Sequence, residues 1–301
     1  MFLLNERPDW KKEGNDWPNR EASAFVEAAG LTWHVQRMGE GPTALLLHGT
    51  GASTHSWRGL APLLGKDFDV FAPDLPGHGF TEAPTFAQLT LPRMARLVSG
   101  LLAELSAQPQ IVIGHSAGAA IAIQTCLDHL IDPKVIVSLN GALLPFRGSA
   151  GHVFPFMAKV LFLNPLTPRV FAMGASDRRR VGRLIESTGS QIDPDGLEQY
   201  ARLFSNPSHV AGALGMMANW DLPELRRTLH RLKTPLVLIA GDEDKAVPPA
   251  DAYEVKARAT HAEVVKLRSL GHLAHEEDPG LVAELVRDIA HRHGIEANAG
   301  A

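Results

Sequence analysis

The chain has 301 residues, 45% of them hydrophobic, with a formal net charge of -4 and a single cysteine, Cys126. This length and apolar content suffice for one large domain with an insertion. The slight acidic excess leaves no electrostatic footprint for nucleic acid, and the lone cysteine excludes an internal disulfide framework and suits a reducing cytoplasm.

At the amino terminus, "MFLLNERPDW" breaks its apolar run at Asn5, too early for a secretory leader, and no apolar stretch reaches bilayer-spanning length. The chain is therefore expected to be soluble and cytoplasmic. After a polar lead with Trp10 and Trp17, residues 24–39 read as two short strands around Gly30, a hairpin. The pattern then changes. Residues 43–49, 67–74, 110–116, 134–141, 235–244 and 262–267 are apolar at consecutive positions, which suits strands covered on both faces of a parallel sheet.

Helical patterns at 90–105, 117–130 and 279–293 alternate with these runs, as in a doubly wound α/β sheet. Residues 146–222 are too long for an ordinary connection and read as a helical insertion, a cap or lid. The core is then formed by 1–145 and 223–301. Within the insertion, 153–175 is strongly apolar but interrupted by Lys159, Asn164, Arg169 and three prolines, so membrane contact is expected to be at most peripheral. Arg178, Arg179 and Arg180 read as a solvated helical face.

One junction carries chemistry. In "IVIGHSAGAAIA" (111–122) an apolar run passes through Gly114-His115-Ser116-Ala117-Gly118 into a small-residue helix. Small neighbours let a chain turn sharply and expose the serine oxygen, the arrangement of a nucleophile elbow. The five-residue pattern recurs by chance; its place between a strand and a helix is the informative part. A serine hydroxyl needs a base within reach and a third group to orient that base. Asp242, Glu243 and Asp244 close one later strand, and His272 and His275 follow another.

The order serine, acid, histidine is similar to that of the α/β-hydrolase superfamily, and the resemblance runs along nearly the whole chain. It implies an α/β-hydrolase fold, a mostly parallel doubly wound sheet with an N-terminal hairpin and a helical cap. In that family the acid lies in a Gly-x-x-Asp segment with a proline a few residues on, here Gly241 and Asp244. The histidine follows a glycine and precedes an acidic-proline pair, here His272 before Asp278-Pro279. The resemblance thus implies Ser116, Asp244 and His272 as the catalytic triad.

By the same resemblance, "LLLHGTGAS" supplies an oxyanion hole from the backbone N–H groups of Thr50 and Ala117, with His48 and Gly49 shaping the turn. His78, in "PDLPGHGFT", is then structural, and His275 is assigned to a lid or surface contact. A metal site at His272, His275 and Glu276 is the alternative; the elbow already accounts for His272, so no metal and no cofactor is expected.

Six of the twelve phenylalanines (146, 154, 156, 162, 171 and 204) fall in the insertion with Met157, Met173, Met216, Met217 and Trp220. They suit either the core of a small cap or a broad apolar pocket over Ser116, lined by Phe146, Phe154, Met216 and Trp220. Arg147, Arg169 or an arginine of 178–183 would be available to ligand carboxylates.

"DWPNREAS" (16–23) and the segment that follows, to about residue 82, resemble a hydrolase-fold family of bacteriochlorophyll biosynthesis regarded as accessory to magnesium chelatase. The resemblance implies chelatase subunits and protoporphyrin or magnesium-protoporphyrin as partners. The chelatase motor is excluded, because Gly-x-x-x-x-Gly-Lys-Ser/Thr occurs nowhere and "GTGAST" lacks the lysine. Two functions stand: a serine hydrolase acting on a hydrophobic, tetrapyrrole-linked ester, and a non-catalytic porphyrin-binding or chelatase-docking protein. Serine at the elbow argues against carboxylate-nucleophile epoxide hydrolase or dehalogenase chemistry, while general carboxylesterase and carbon–carbon bond hydrolase activities stay open.

Overall fold

The computed structural model describes residues 7–145, 164, 166–175 and 177–296. Eight strands form one sheet in the order β1-β2-β4-β3-β5-β6-β7-β8. The hairpin β1 (Ser23–Ala28) and β2 (Leu31–Met38) is antiparallel, and β2 runs antiparallel to β4 (Asp69–Pro73). From β4 onward every neighbour is parallel, through β3 (Thr43–Leu47), β5 (Ile111–His115), β6 (Val135–Leu139), β7 (Leu236–Gly241) and β8 (Ala262–Leu267).

The consecutive apolar runs divide by alternation between two cores. Leu45, Leu47, Val112, Ile136 and Leu238 face one side, while Leu46, Ile113, Val137 and Ile239 face the other. Full burial of such a side chain stabilises by about 1.5–3 kcal/mol, so the register fixed by the pattern is strongly held. Short helices α1 (Trp10–Glu13) and α2 (Leu60–Leu64) precede α3 (Leu91–Glu104). Met94, Val98 and Leu101 recur at helical spacing and turn one face of α3 into the first core.

Helix α4 (Ala117–Leu127) is apolar on every side, because it lies beneath α3 and against the sheet. It ends before the expected residue 130. His129 adopts the left-handed conformation (φ 54°), and the Leu130 N–H returns to the Thr125 carbonyl, a closure that satisfies the orphan carbonyls of the last turn. Cys126 packs on this helix, and burial pushes its thiol up to about 12.

Between β6 and β7 lie α5 (Thr167–Ala175), α6 (Arg178–Ser187), α7 (Pro194–Phe204) and α8 (Pro207–Ala218), followed by α9 (Leu222–Thr228). Asp177, Asp193, Asn206 and Asp221 cap the starts of α6 to α9 by accepting backbone N–H groups. These helices are seated in two ways. Val210, Ala211, Leu214 and Met216 of α8 join the first sheet core, whereas Val181, Ile185, Tyr200 and Ala201 of α6 and α7 form a separate cluster with Ala52 and Leu273 of the core loops. After β7 come α10 (Ala250–Lys256), α11 (Ala274–Glu277) and α12 (Pro279–Arg292); α12 covers the second core with Val282, Val286 and Ile289.

Candidate active site

Parallel strands place their following loops along one edge, so the carboxyl ends of β3, β5, β7 and β8 bring together four segments distant in sequence. Ser116 stands at the corner between β5 and α4, at φ 50° and ψ -114°. A serine held in this region costs about 1–3 kcal/mol, and the neighbours impose it. A methyl group on Gly118 would overlap the Leu47 carbonyl, and one on Gly114 would overlap the backbone of Ala119. The Ser116 N–H donates to the Leu139 carbonyl at 3.0 Å, and its own carbonyl accepts from Ala119 (3.2 Å) and Ala142 (3.1 Å). The corner is thus locked while the side chain keeps partial exposure.

Asp244 and His272 meet at the next strand ends. The His272 Nδ1–H donates to Asp244 Oδ2 at 2.8 Å, and the other carboxylate oxygen accepts the N–H groups of Ala246 and Val247, both at 2.8 Å. This fixes the tautomer that leaves Nε2 unprotonated and available as a base. Among the described residues no hydrogen bond joins Ser116 Oγ to that nitrogen; in ligand-free sites this link is commonly long and tightens when substrate arrives.

Two further residues hold the Asp244 and His272 loops together. Asn140, at the end of β6, donates from Nδ2 to the Gly271 carbonyl (2.6 Å) and accepts the Gly241 N–H at Oδ1 (3.0 Å). His115 donates from Nε2 to the His272 carbonyl at 3.0 Å. Neither role was visible in a residue type or spacing, because each is a single side chain meeting a loop more than a hundred positions away.

The loop after β3 carries Thr50, whose N–H and that of Ala117 lack an intramolecular partner among the described residues. A methyl on Gly49 would come within 3.0 Å of Ser116 Cβ, so this loop lies directly against the serine. Three buried side chains hold it. His48 accepts the Leu75 N–H at Nε2 (2.8 Å) and donates from Nδ1 to the Gly49 carbonyl (2.8 Å). Asp74 accepts from Thr54 N–H (2.7 Å), Phe80 N–H (2.9 Å) and His34 Nδ1 (2.8 Å). Burial alone would raise its carboxyl, but the charge and hydrogen bond of His34 outweigh this and hold it below the usual carboxylate range. The third is His209 of α8, which accepts the Gly79 N–H at Nδ1 (3.0 Å) and donates from Nε2 to the Gly51 carbonyl (3.0 Å). Its pKa is lowered to about 4 by burial.

His78 is buried and has one ring nitrogen 3.2 Å from the Pro76 carbonyl. His275 departs from its assignment to a lid or surface contact. It is buried, with Nε2 2.8 Å from Ser56 Oγ and its ring 4.6 Å from that of Trp57, because the α11 turn rolls it under the catalytic loop. Burial lowers its pKa to about 3. Glu276 beside it accepts from Ser56 Oγ (2.7 Å), Tyr200 Oη (2.7 Å) and the Arg58 guanidinium, which also pairs with Asp193 at 2.6 Å. Burial raises the Glu276 carboxyl, against the pull of Arg58. This network joins the loop after Thr50, the loop after His272 and helix α7. Among the described residues no group of histidine, cysteine, aspartate or glutamate is arranged to hold a metal ion.

Of the four residues expected to line a pocket, Phe146 and Phe154 lie outside the described residues, as do Arg147, Met157, Phe156 and Phe162. Met216 is fully buried, and Thr50 Oγ1 points at its sulfur from 3.7 Å. Trp220 is partly buried against the first core. Phe204 is the aromatic ring that approaches the oxyanion loop, 3.3 Å from where a Gly51 methyl would stand.

Comparison with known proteins places the fold. A family model described as alpha/beta hydrolase fold matches residues 42–279. The chain is 44% identical over 269 residues to a Rhodobacter capsulatus protein named magnesium-chelatase 30 kDa subunit, covering 87% of this chain and 92% of that one. It is 28% identical over 264 residues to the pimeloyl-[acyl-carrier protein] methyl ester esterase of Aeromonas hydrophila, covering 84% of this chain and 96% of that one. Among solved structures, the epoxide hydrolase CorEH superposes with a TM-score of 0.76 at 22% identity, covering 90% of this chain and 98% of that one. A Burkholderia ambifaria alpha/beta hydrolase fold protein gives 0.74 at 20% identity, covering 95% and 100%. The chain belongs to the alpha/beta hydrolase fold family.

Proposed function

We propose that this family member is a serine hydrolase with Ser116, His272 and Asp244 as its triad, Thr50 and Ala117 as its oxyanion hole and residues 146–222 as its cap. The observation that carries the reading is the 2.8 Å His272–Asp244 hydrogen bond at the strand ends beside a serine held at φ 50°. Ser116 Oγ attacks the substrate carbonyl carbon, and its proton passes to His272 Nε2. Negative charge collects on the carbonyl oxygen, where the free N–H groups of Thr50 and Ala117 donate; losing one such donor typically costs about a hundredfold or more. His272 returns the proton to the departing oxygen. Water, deprotonated by the same nitrogen, then releases the acyl group and restores Ser116.

The proposed substrate is a hydrophobic ester linked to a tetrapyrrole, handled in the cytoplasm as an accessory step to magnesium chelatase. The identity to the Rhodobacter capsulatus chelatase subunit supports this placement, and no nucleic-acid partner is invoked. That relative's name, which denotes a chelatase component and no hydrolase, also favours a second reading: a non-catalytic protein that holds protoporphyrin or docks on the chelatase. A fluorophosphonate probe separates the two. The hydrolase labels covalently at Ser116 and Ser116→Ala abolishes labelling; equal labelling of wild type and variant, or none in wild type, removes the hydrolase. Complementation of a deletion strain tests the pathway: full restoration of bacteriochlorophyll by Ser116→Ala would leave only the binder.

A further inference from the structure

The large hydrophobic side chains exposed among the described residues are unevenly placed. Five of the eight fall between 166 and 184, on α5, on α6 and just before α5: Leu166 (59% exposed), Val170 (65%), Phe171 (54%), Met173 and Leu184 (52%). Helix α5 buries Pro168, Ala172 and Ala175, so its large residues are the ones left outward, the reverse of an ordinary surface helix. Scattered exposed apolar residues need no explanation, but a cluster on touching elements does.

The same stretch concentrates positive charge. Residues 166–187 contain Arg169, Arg178, Arg179, Arg180 and Arg183 against Asp177 and Glu186, in a protein whose overall charge is -4. Arg178 pairs with Glu198 at 2.6 Å and Arg180 lies 3.7 Å from Asp177. Arg169, Arg179 and Arg183 have no acidic partner among the described residues. The two helices touch, since a methyl on Gly174 would lie 3.3 Å from the Arg180 guanidinium. Exposed apolar side chains and guanidinium groups therefore occur together on two helices in contact.

We propose that this face of α5 and α6 docks on an anionic lipid bilayer. Helices with outward apolar side chains flanked by arginine lie in the interfacial plane, where apolar burial and headgroup attraction add. A two-fold pairing with a second copy would bring together two patches that each carry an excess of arginine over acid, and it is disfavoured for that reason. The mode is contact without insertion, as no helix among the described residues is long and apolar enough to cross a membrane. The acidic remainder of the protein would be repelled, so docking would orient the molecule with this face inward.

The test is flotation with vesicles of phosphatidylcholine alone and of phosphatidylcholine mixed equally with phosphatidylglycerol. Wild type and Ser116→Ala float equally with the mixed vesicles, stay behind with the neutral ones and are released by high salt. Each arginine near an anionic surface contributes about 1 kcal/mol, so Arg179→Ser with Arg183→Ser weakens binding about thirtyfold. Val170→Ser with Phe171→Ser, which touches no charge, weakens it at least tenfold at unchanged helical circular dichroism. No flotation of wild type, equal flotation with neutral vesicles, or unchanged binding by both double variants overturns the proposal. So does a wild-type dimer in sedimentation that either double variant converts to monomer. Because binding is read without turnover, these outcomes are independent of the hydrolase reading.

Discussion

The loops at the carboxyl edge of the sheet and the helices inserted between β6 and β7 hold the same few residues by different physics. At the sheet edge, position follows from alternation: burying Leu45, Leu47, Val112 and Ile136 on one face sets the register, and the loops emerge where the strands stop. In the insertion, polar bonds to the core loops are added to the apolar seating of its helices. The Thr188 carbonyl accepts the Lys245 N–H at 3.0 Å beside the acid, Ser190 Oγ accepts the Leu273 N–H at 2.8 Å beside the base, and Tyr200 and Asp193 reach the Arg58–Glu276 pair. The comparison teaches that the sheet specifies where Ser116, Asp244 and His272 stand, while the insertion adds bonds to the loops that carry Asp244 and His272.

The comparison breaks most visibly at the triad. Asp244→Asn keeps the fold and the loop bonds but presents an amide to His272 Nδ1, so phosphonate labelling should slow by about 10⁴-fold with an unchanged melting temperature. A large loss of stability instead would make Asp244 part of the scaffold.

Next comes the ionic anchor of the insertion. Glu276→Ala leaves the partly buried Arg58 with Asp193 alone and takes the acceptor from Ser56 and Tyr200, so denaturant unfolding should register a loss of about 3 kcal/mol. Tyr200→Phe removes one hydrogen bond only and should cost about 1 kcal/mol. If the two variants were equal, the pair would contribute nothing beyond the tyrosine contact.

Asn140→Ala acts between the two regions. It leaves the Gly241 N–H and the Gly271 carbonyl buried without a partner, at about 1–3 kcal/mol each, and should slow labelling with a shifted pH profile, since the His272–Asp244 spacing loosens. Loss of stability with an unaltered profile would confine Asn140 to packing.

The smallest effect per group is pH. Burial lowers His48, His55, His78, His115, His209 and His275, the last two to about 4 and about 3. These groups are neutral when folded and charge when unfolded, so their contribution is complete above their ordinary value near 6.5 and is lost as pH falls below it. Each that takes up a proton on unfolding lowers stability by about 1.4 kcal/mol per pH unit. Denaturant titrations should show stability declining as pH falls from about 7 to about 5; a flat profile would mean the histidines are reached by water and protonate in place.

The sheet was legible because consecutive apolar runs mean two covered faces, and its strand positions follow them closely; only the end of α4 shifted, since nothing in "CLDHL" announces the left-handed turn at His129. Ser116 was legible through the glycines at its strand–helix junction, whereas Asp244 and His272 were singled out from Asp242, Glu243 and His275 only by the resemblance to the α/β-hydrolase superfamily. Asn140, His115, Ser190 and His209 were not, because their partners lie in other segments and a lone asparagine or histidine carries no spacing signal. His275 was misassigned for a related reason: two histidines three apart look alike in sequence, and only the fold shows that His272 meets Asp244 while His275 turns under to Ser56 and Trp57.

His209 has a consequence for coupling. Both of its ring nitrogens are committed to the core, one to the Gly79 N–H and one to the Gly51 carbonyl next to Thr50. Helix α8 cannot lift without releasing the strand of backbone that would receive the oxyanion. Any ligand that favours the seated position of α8 must therefore also favour an ordered oxyanion loop, and reciprocity requires that an oxyanion bound at Thr50 tighten the hold on α8 by the same free energy. In the proposed mechanism, one imidazole thus links the seating of α8 to the order of the loop at Thr50.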